Sequence, residues 1–265
     1  MIRAVGFSNV GNVRNNHEDN FLLGSNQMIT PSQQVKMINN LKTLEYKFLG
    51  TEGIFCVCDG MGGHAAGEVA SYQTVQWLNN YYSELLDMNI LQLQQAFGEL
   101  NNYLYEYSCQ HESCHDMGAT LAGMLFAKKH LYCFNIGDSR VYQFINGNLR
   151  QLTIDHTEGQ RLLALGLLDK EKMESFRSRK SLYRYLGYAG QLIADITEIE
   201  LNYVSKFLIC SDGLTDVLQD EQIEKIFAKE NAIEVIGSKL VEEILSMGKR
   251  CTDNITVILI EMQEE

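Results

Sequence analysis

The chain has 265 residues, 45% hydrophobic and 21% charged, with a formal net charge of −12. That is apolar material enough for one large domain or two small ones, and the acidic balance argues against a broad nucleic-acid or anionic-membrane footprint, which needs clustered Lys and Arg. No apolar run approaches the roughly 20 residues of a membrane helix, and the start lacks a signal-peptide pattern, so a soluble, cytoplasmic protein is expected.

In chain order, residues 3–8 alternate weakly and predict a first strand, followed by an Asn- and Gly-rich turn over 9–16 that carries Arg14. Residues 20–23 predict a second strand. Residues 24–53 hold the only proline, Pro31, and read as an insertion with a short helix over 35–44 and no assignable chemistry. The apolar run 54–58 ends in Asp59-Gly60-Met61-Gly62-Gly63-His64. Helical spacing of apolar residues follows over 68–86 and again over 90–107. From residue 119 the pattern changes to closely spaced strands at 120–127, 131–136, 140–145 and 148–152, with Asn146-Gly147 as a hairpin turn. Residues 157–190 are polar and mixed, with short helical patterns around Leu162 and Lys170, and suit a cover over a site. Strand character returns at 193–201 and 206–210, helices are predicted over 220–229 and 232–247, and 255–261 closes the chain as a strand. Helix pairs between runs of strands predict an α+β fold with antiparallel sheets.

Five strand-like segments carry an acid at one end: Asp19, Asp59, Asp138, Asp212 and Asp253, with Glu18 beside the first. Any one of them alone is an ordinary turn residue. Five at the same kind of place can gather at one rim, where carboxylates repel unless a cation neutralises them. Oxygen-only donors favour Mg²⁺ or Mn²⁺ over Zn²⁺, and two such ions about 3.5–4 Å apart can share and activate one water. Arg14 suits a bidentate grip on phosphate, and His64 is a candidate proton donor. The seven Cys are odd in number and irregularly spaced, and Cys56, Cys58, Cys133 and Cys210 lie inside apolar runs, so reduced, inert thiols are expected. Cys109, His111, Cys114 and His115 match no common zinc spacing. No Cys has the Arg six residues on that a cysteine phosphatase needs, and no phosphate-binding glycine loop appears, so the nucleophile is expected to be water and not a side chain.

The motifs, in order, resemble the metal-dependent serine/threonine protein phosphatases of type 2C in their bacterial form. They are Arg-Asn-Asn-His-Glu-Asp at 14–19, Asp-Gly-Met-Gly-Gly-His-Ala-Ala-Gly-Glu-Val-Ala-Ser at 59–71 and Met-Gly-Ala-Thr at 117–120. Gly-Asp-Ser-Arg-Val-Tyr at 137–142, Leu-Thr-Ile-Asp-His at 152–156 and Arg-Tyr-Leu-Gly at 184–187 follow. Cys-Ser-Asp-Gly-Leu at 210–214 and Asp-Asn-Ile-Thr-Val at 253–257 complete the set. The resemblance implies a four-layer α/β/β/α sandwich forming one domain over 1–265, with the insertion at 24–53 and a flap at 157–190. It implies a two-metal centre of Mn²⁺ or Mg²⁺: Asp59 bridging, the Gly60 carbonyl on one ion, Asp19 acting directly or through water, and Asp212 and Asp253 on the other ion. Asp138 with Asp212 would hold the third ion of bacterial members, and Arg14 the substrate phosphate. The implied activity is hydrolysis of phosphoserine and phosphothreonine in proteins by a metal-bridging water or hydroxide. The implied partners are phosphoproteins and an opposing Ser/Thr kinase, with no nucleic acid or membrane partner and a monomeric state. The alternatives are a catalytically weak phosphoprotein-binding regulator, which predicts lost metal acids, and a hydrolase of small phosphate esters. Met61 stands where animal members have His, leaving the general acid unassigned.

Overall fold

The structure, a computed structural model, describes residues 1–40, 43–62, 66–128, 130–173, 175–200, 205–248 and 253–263. The strands are β1 (Ile2–Asn9), β2 (Asp19–Gly24), β3 (Leu44–Gly50), β4 (Gly53–Met61), β5 (Gly118–Ala119), β6 (Leu121–Ala127), β7 (His130–Ile136), β8 (Arg140–Ile145), β9 (Asn148–Gln151), β10 (Asp195–Glu198), β11 (Lys206–Cys210) and β12 (Ile255–Met262). The helices are α1 (Pro31–Asn40), α2 (Ala66–Asn80), α3 (Tyr82–Leu85), α4 (Ile90–Gln110), α5 (Glu158–Ala164), α6 (Lys170–Met173), α7 (Asp212–Thr215), α8 (Asp220–Lys229) and α9 (Ile233–Ser246).

One sheet has the order β3-β1-β12-β11-β8-β9, and the other the order β10-β7-β6-β4-β2, with β5 pairing to β4. Every described strand pairing is antiparallel. The period of two decides the layering. Phe21, Leu23, Phe55 and Val57 face Ile258, Ile260, Phe207 and Ile209 in a core between the sheets. Their neighbours Leu22, Ile54, Cys56 and Cys58 turn the other way, under α2 and α4, with Leu78, Phe97, Leu100 and Leu104. On the far side Val257, Leu259 and Leu208 lie under α8 and α9 with Ile223, Ile236 and Leu240. The result is an α+β, four-layer α/β/β/α sandwich whose central strands are apolar on both faces. Among the described residues, no helix is long and apolar enough to cross a membrane.

Three local expectations change. The helix expected over 35–44 is Pro31–Asn40 instead, starting where proline's missing N–H costs nothing; residues 41 and 42 lie outside the described residues. Within 24–53 the structure adds an edge strand, β3, paired along β1 from Ile2↔Gly50 to Ser8↔Leu44. Its alternation is legible afterwards: Leu44, Tyr46 and Phe48 lean inward while Glu45 and Lys47 face water. The helix over 68–86 breaks at Tyr81 (φ −100, ψ 17) into α2 and α3. The Asn146-Gly147 turn has φ of 52 and 81, the positive values its hairpin type requires.

Candidate active site

Antiparallel pairing places Asp19 directly opposite Asp59 in the β2–β4 register. The β7–β8 turn brings Asp138, the end of β11 brings Asp212, and the residue pair before β12 brings Asp253. One cleft of about 500 Å³ at this end of the sandwich is lined by Arg14, Glu18, Asp59, Gly60, Asp138, Asp212 and Asp253, with Asp116, Lys180, Leu182 and Tyr185 on its outer wall. The sequence-predicted acids and Arg14 therefore come together. Asp19 stands behind the wall: it is 1% exposed and its Oδ2 accepts from Ser211 Oγ at 2.7 Å. His64 lies outside the described residues.

Local structure explains why these positions hold still. The Asp59 N–H donates to Thr120 Oγ1 at 2.9 Å, the Thr120 N–H donates to the Asp59 carbonyl at 2.8 Å, and Thr120 Oγ1 meets Ser139 Oγ at 2.8 Å. One threonine thus couples the Asp59 strand end to the turn carrying Asp138. Gly60 cannot carry a side chain, because a Cβ there would lie 1.8 Å from the Gly67 carbonyl oxygen at the start of α2. The Gly60 N–H donates to the Glu18 carbonyl at 3.1 Å. The Asn254 side chain accepts from the Glu18 N–H at 2.7 Å and donates to the carbonyls of Val10 (2.9 Å) and Asn16 (3.0 Å). It pins both ends of the loop that carries Arg14. His156 Nδ1 accepts from the Gly137 N–H at 3.0 Å, and its Nε2 lies 3.1 Å from Asp195 Oδ2 and 3.0 Å from Arg184 Nη1. That imidazole anchors the Asp138 turn to β10.

The electrostatics are those of crowded acids. Burial first, then the charges of Asp19, Asp212, Asp253 and Asp138, raise the Asp59 carboxyl well above its ordinary range. Burial is also the main cause that pushes Asp19 up to about 8, Asp138 to about 7 and Asp212 to about 6. Arg14 donates to Asp253 Oδ2 at 2.6 Å, and this hydrogen bond leads the causes that keep its guanidinium charged. Lys180, from the 157–190 segment, pairs with Asp216 and its charge favours ionised Asp212. Burial pushes the thiols of Cys133 and Cys210 up to about 12. Neither is a thiolate at neutral pH, so neither is a nucleophile.

The donor set fits a hard divalent cation. It contains only oxygens, and Asp212 Oδ1 is buried without a hydrogen-bond partner, which a bound cation would satisfy. Among the described residues, no three His, Cys, Asp or Glu side chains are drawn together closely enough to cage an ion unaided. Mg²⁺-type ions keep several waters, so a partial set of carboxylates suits them. Sequence reasoning gave no role to Thr120, Ser139, Ser211, Asn254, Thr256 or His156. Each sits beside a candidate acid or inside a quoted motif, and its signal was a small polar residue in an otherwise apolar strand end.

Oxygen donors and one guanidinium at the mouth of a two-sheet sandwich define the class, a hydrolase of phosphate esters. The comparisons give the family. A model of the protein phosphatase 2C family matches residues 44–239. The serine/threonine phosphatase stp of Listeria welshimeri is 33% identical over 213 residues, 78% of this chain and 84% of its own length. The crystal structure of serine/threonine phosphatase Stp1 from Staphylococcus aureus superposes with a TM-score of 0.81 at 27% identity, covering 100% of this chain and 96% of that one. The catalytic domain of the phosphatase PstP in complex with two manganese ions gives a TM-score of 0.73 at 27% identity, covering 98% and 99%. The chain belongs to the protein phosphatase 2C family and is a protein serine/threonine phosphatase.

Proposed function

We propose that the chain removes phosphate from phosphoserine and phosphothreonine in proteins at this acidic cleft. Asp59, the Gly60 carbonyl, Asp212 and Asp253 would hold two Mn²⁺ or Mg²⁺ ions, with Asp19 acting on them directly or through water, and Asp138 with Asp212 would hold a third. The ions, when bound, supply Lewis-acid polarisation of the phosphoryl group and activation of water. The observation that carries this reading is the convergence of five carboxylates from five separate segments on one cleft beside Arg14.

The protein's own groups do the rest. Arg14 binds the phosphate oxygens, and Asp253 aims its guanidinium. Thr120 and Ser139 keep the Asp59 and Asp138 strand ends in register. Residues 157–190 act as the flap: Lys180 and Leu182 stand over one side of the cleft, next to Tyr185. All of 1–265 acts as one phosphatase domain, a monomer in the cytoplasm, opposed by a Ser/Thr kinase.

The test uses p-nitrophenyl phosphate and a phosphothreonine peptide. EDTA abolishes hydrolysis and Mn²⁺ restores it. Asp59→Asn and Asp212→Asn each lose at least a hundred-fold in kcat, a scale set by removal of a preorganised electrostatic group (roughly 10²–10³). Full activity in both variants refutes the site, and binding of phosphoprotein without turnover by the wild-type chain would mark a regulator instead.

A further inference from the structure

The interface between the two sheets is apolar except at the end near the cleft. There, a row of side chains crosses from one sheet to the other. Ser8 comes from β1, Thr256 from β12 and Ser211 from the end of β11, all in the first sheet, while Asp19 opens β2 in the second. His17, just before β2, completes the row. All five are buried.

Hydrogen bonds link the row, and each hydroxyl has one hydrogen to give. Ser211 Oγ accepts from the Thr256 N–H at 3.1 Å and donates to Asp19 Oδ2 at 2.7 Å. Thr256 Oγ1 also lies beside the Asp19 carboxyl and favours its ionised form. Ser8 Oγ and Thr256 Oγ1 share a hydrogen bond at 2.7 Å. Ser8 Oγ also hydrogen-bonds His17 Nε2 at 3.0 Å. The row runs from imidazole through two hydroxyls to the Asp19 carboxyl, where Ser211 is the recorded donor. Each of the three hydroxyls in the row has a partner.

We propose that Thr256 and Ser211, aligned by Ser8 and His17, are positioning residues that set the spacing between the two halves of the metal centre. The acids divide by sheet: Asp19 and Asp59 belong to the second, Asp212 and Asp253 to the first. Apolar side chains between the sheets can slide by fractions of an ångström at little cost. The 2.7 Å hydrogen bond from Ser211 Oγ onto Asp19, with Thr256 beside it, cannot, and it fixes how the Asp19–Asp59 pair faces the Asp212–Asp253 pair. The row thus acts as a polar pin through an otherwise apolar layer. This inference rests on the metal reading given above.

The experiment compares Thr256→Val, which keeps the shape and removes the hydroxyl, with Thr256→Ser, which keeps the hydroxyl. Mn²⁺ affinity of the EDTA-stripped, dialysed protein is read by titration calorimetry, and circular dichroism checks the fold. Thr256→Val weakens Mn²⁺ binding by roughly ten- to a hundred-fold, the usual effect of removing a partner of a metal ligand. Thr256→Ser stays within about three-fold of wild type, and Ser211→Ala follows Thr256→Val. Unchanged affinity in Thr256→Val and Ser211→Ala overturns the proposal. So does loss of folding in both with Thr256→Ser intact, because the hydroxyls would then hold the fold and not the ligand. A wild-type chain that takes up no Mn²⁺ sinks the metal reading itself, a separate result.

Discussion

Crowded acids make a definite demand on stability when no divalent ion is present. In the folded chain Asp138 is raised to about 7 and Asp19 to about 8, both chiefly by burial. In the unfolded chain both titrate near 3.9. A carboxyl whose folded value is raised stabilises the fold fully at pH below its unfolded value, and that contribution is lost as pH rises through the folded value. His17 works the other way: burial lowers it to about 4, so it favours the fold increasingly up to about pH 6.5 and is constant beyond. The clean window is therefore pH 6.5 to 8. There the native state holds more protons than the unfolded one, and stability falls by about 1.4 kcal/mol per pH unit for each retained proton. With one proton retained across the window, the loss is about 2 kcal/mol. For a domain of this size that is a fall in Tm of about 4–8 °C. The assay is thermal or urea unfolding at pH 6.5, 7 and 8 in EDTA, with and without excess Mn²⁺. Bound cation ionises the carboxylates and adds its own binding free energy, so the slope flattens and Tm rises. Stability in EDTA that is flat or rising from pH 6.5 to 8 would refute the account of buried, proton-retaining carboxylates.

Two further outcomes follow from the same geometry. Arg14→Ala raises KM for phosphopeptide by about ten-fold or more with a smaller change in kcat, because the guanidinium grips phosphate in ground and transition states alike; steady-state kinetics decides, and an unchanged KM removes Arg14 from the phosphate. Asn254→Ala leaves the Glu18 N–H and the carbonyls of Val10 and Asn16 without their side-chain partner, and costs about 3 kcal/mol in a urea melt, while a loss below about 0.5 kcal/mol would mean that water replaces the amide.

The acids were legible in the sequence because their signal is local: an apolar run followed by Asp and a turn residue marks a strand end. The two-helix blocks were legible for the same reason, through their period. β3 was not, because its alternation follows a proline and a polar cluster that suggested an insertion, and only pairing along β1 shows what Leu44, Tyr46 and Phe48 cover. The break at Tyr81 was hidden because Tyr82 and Leu85 keep the helical spacing across it. The partners of the acids were illegible for a physical reason. Ser211 and Asp19 are 192 residues apart, and Asn254 and Val10 are 244 apart. A serine in an apolar strand end states only that it has a hydrogen bond to make, and the fold decides with whom.

The division of acids between sheets has a consequence for how such a site persists. Each sheet contributes a pair that could not be buried together on one strand end without a counter-ion, since like charges at short range each disfavour the other's ionisation. Spreading them over two sheets lets the apolar layer between the sheets, built from Phe21, Phe55, Val57, Ile209, Ile258 and their neighbours, supply the burial free energy that holds the repelling groups in place. The same layer gives no directional information, because apolar contacts are tolerant of small shifts. Direction comes from the few polar groups at the cleft end: Thr120 at the Asp59 strand end, Asn254 reaching from beside β12 to the start of β2, and the Ser8–Thr256–Ser211 row. Core and polar pins thus do separable jobs, one setting how stable the site is and the other where its oxygens stand. A core truncation such as Ile258→Val should lower Tm by a few degrees and leave Mn²⁺ affinity within about two-fold. The isosteric loss of one hydroxyl at Thr256 should do the reverse. If the core variant shifts affinity as much as the hydroxyl variant does, the separation fails and the whole sandwich is holding the ligands.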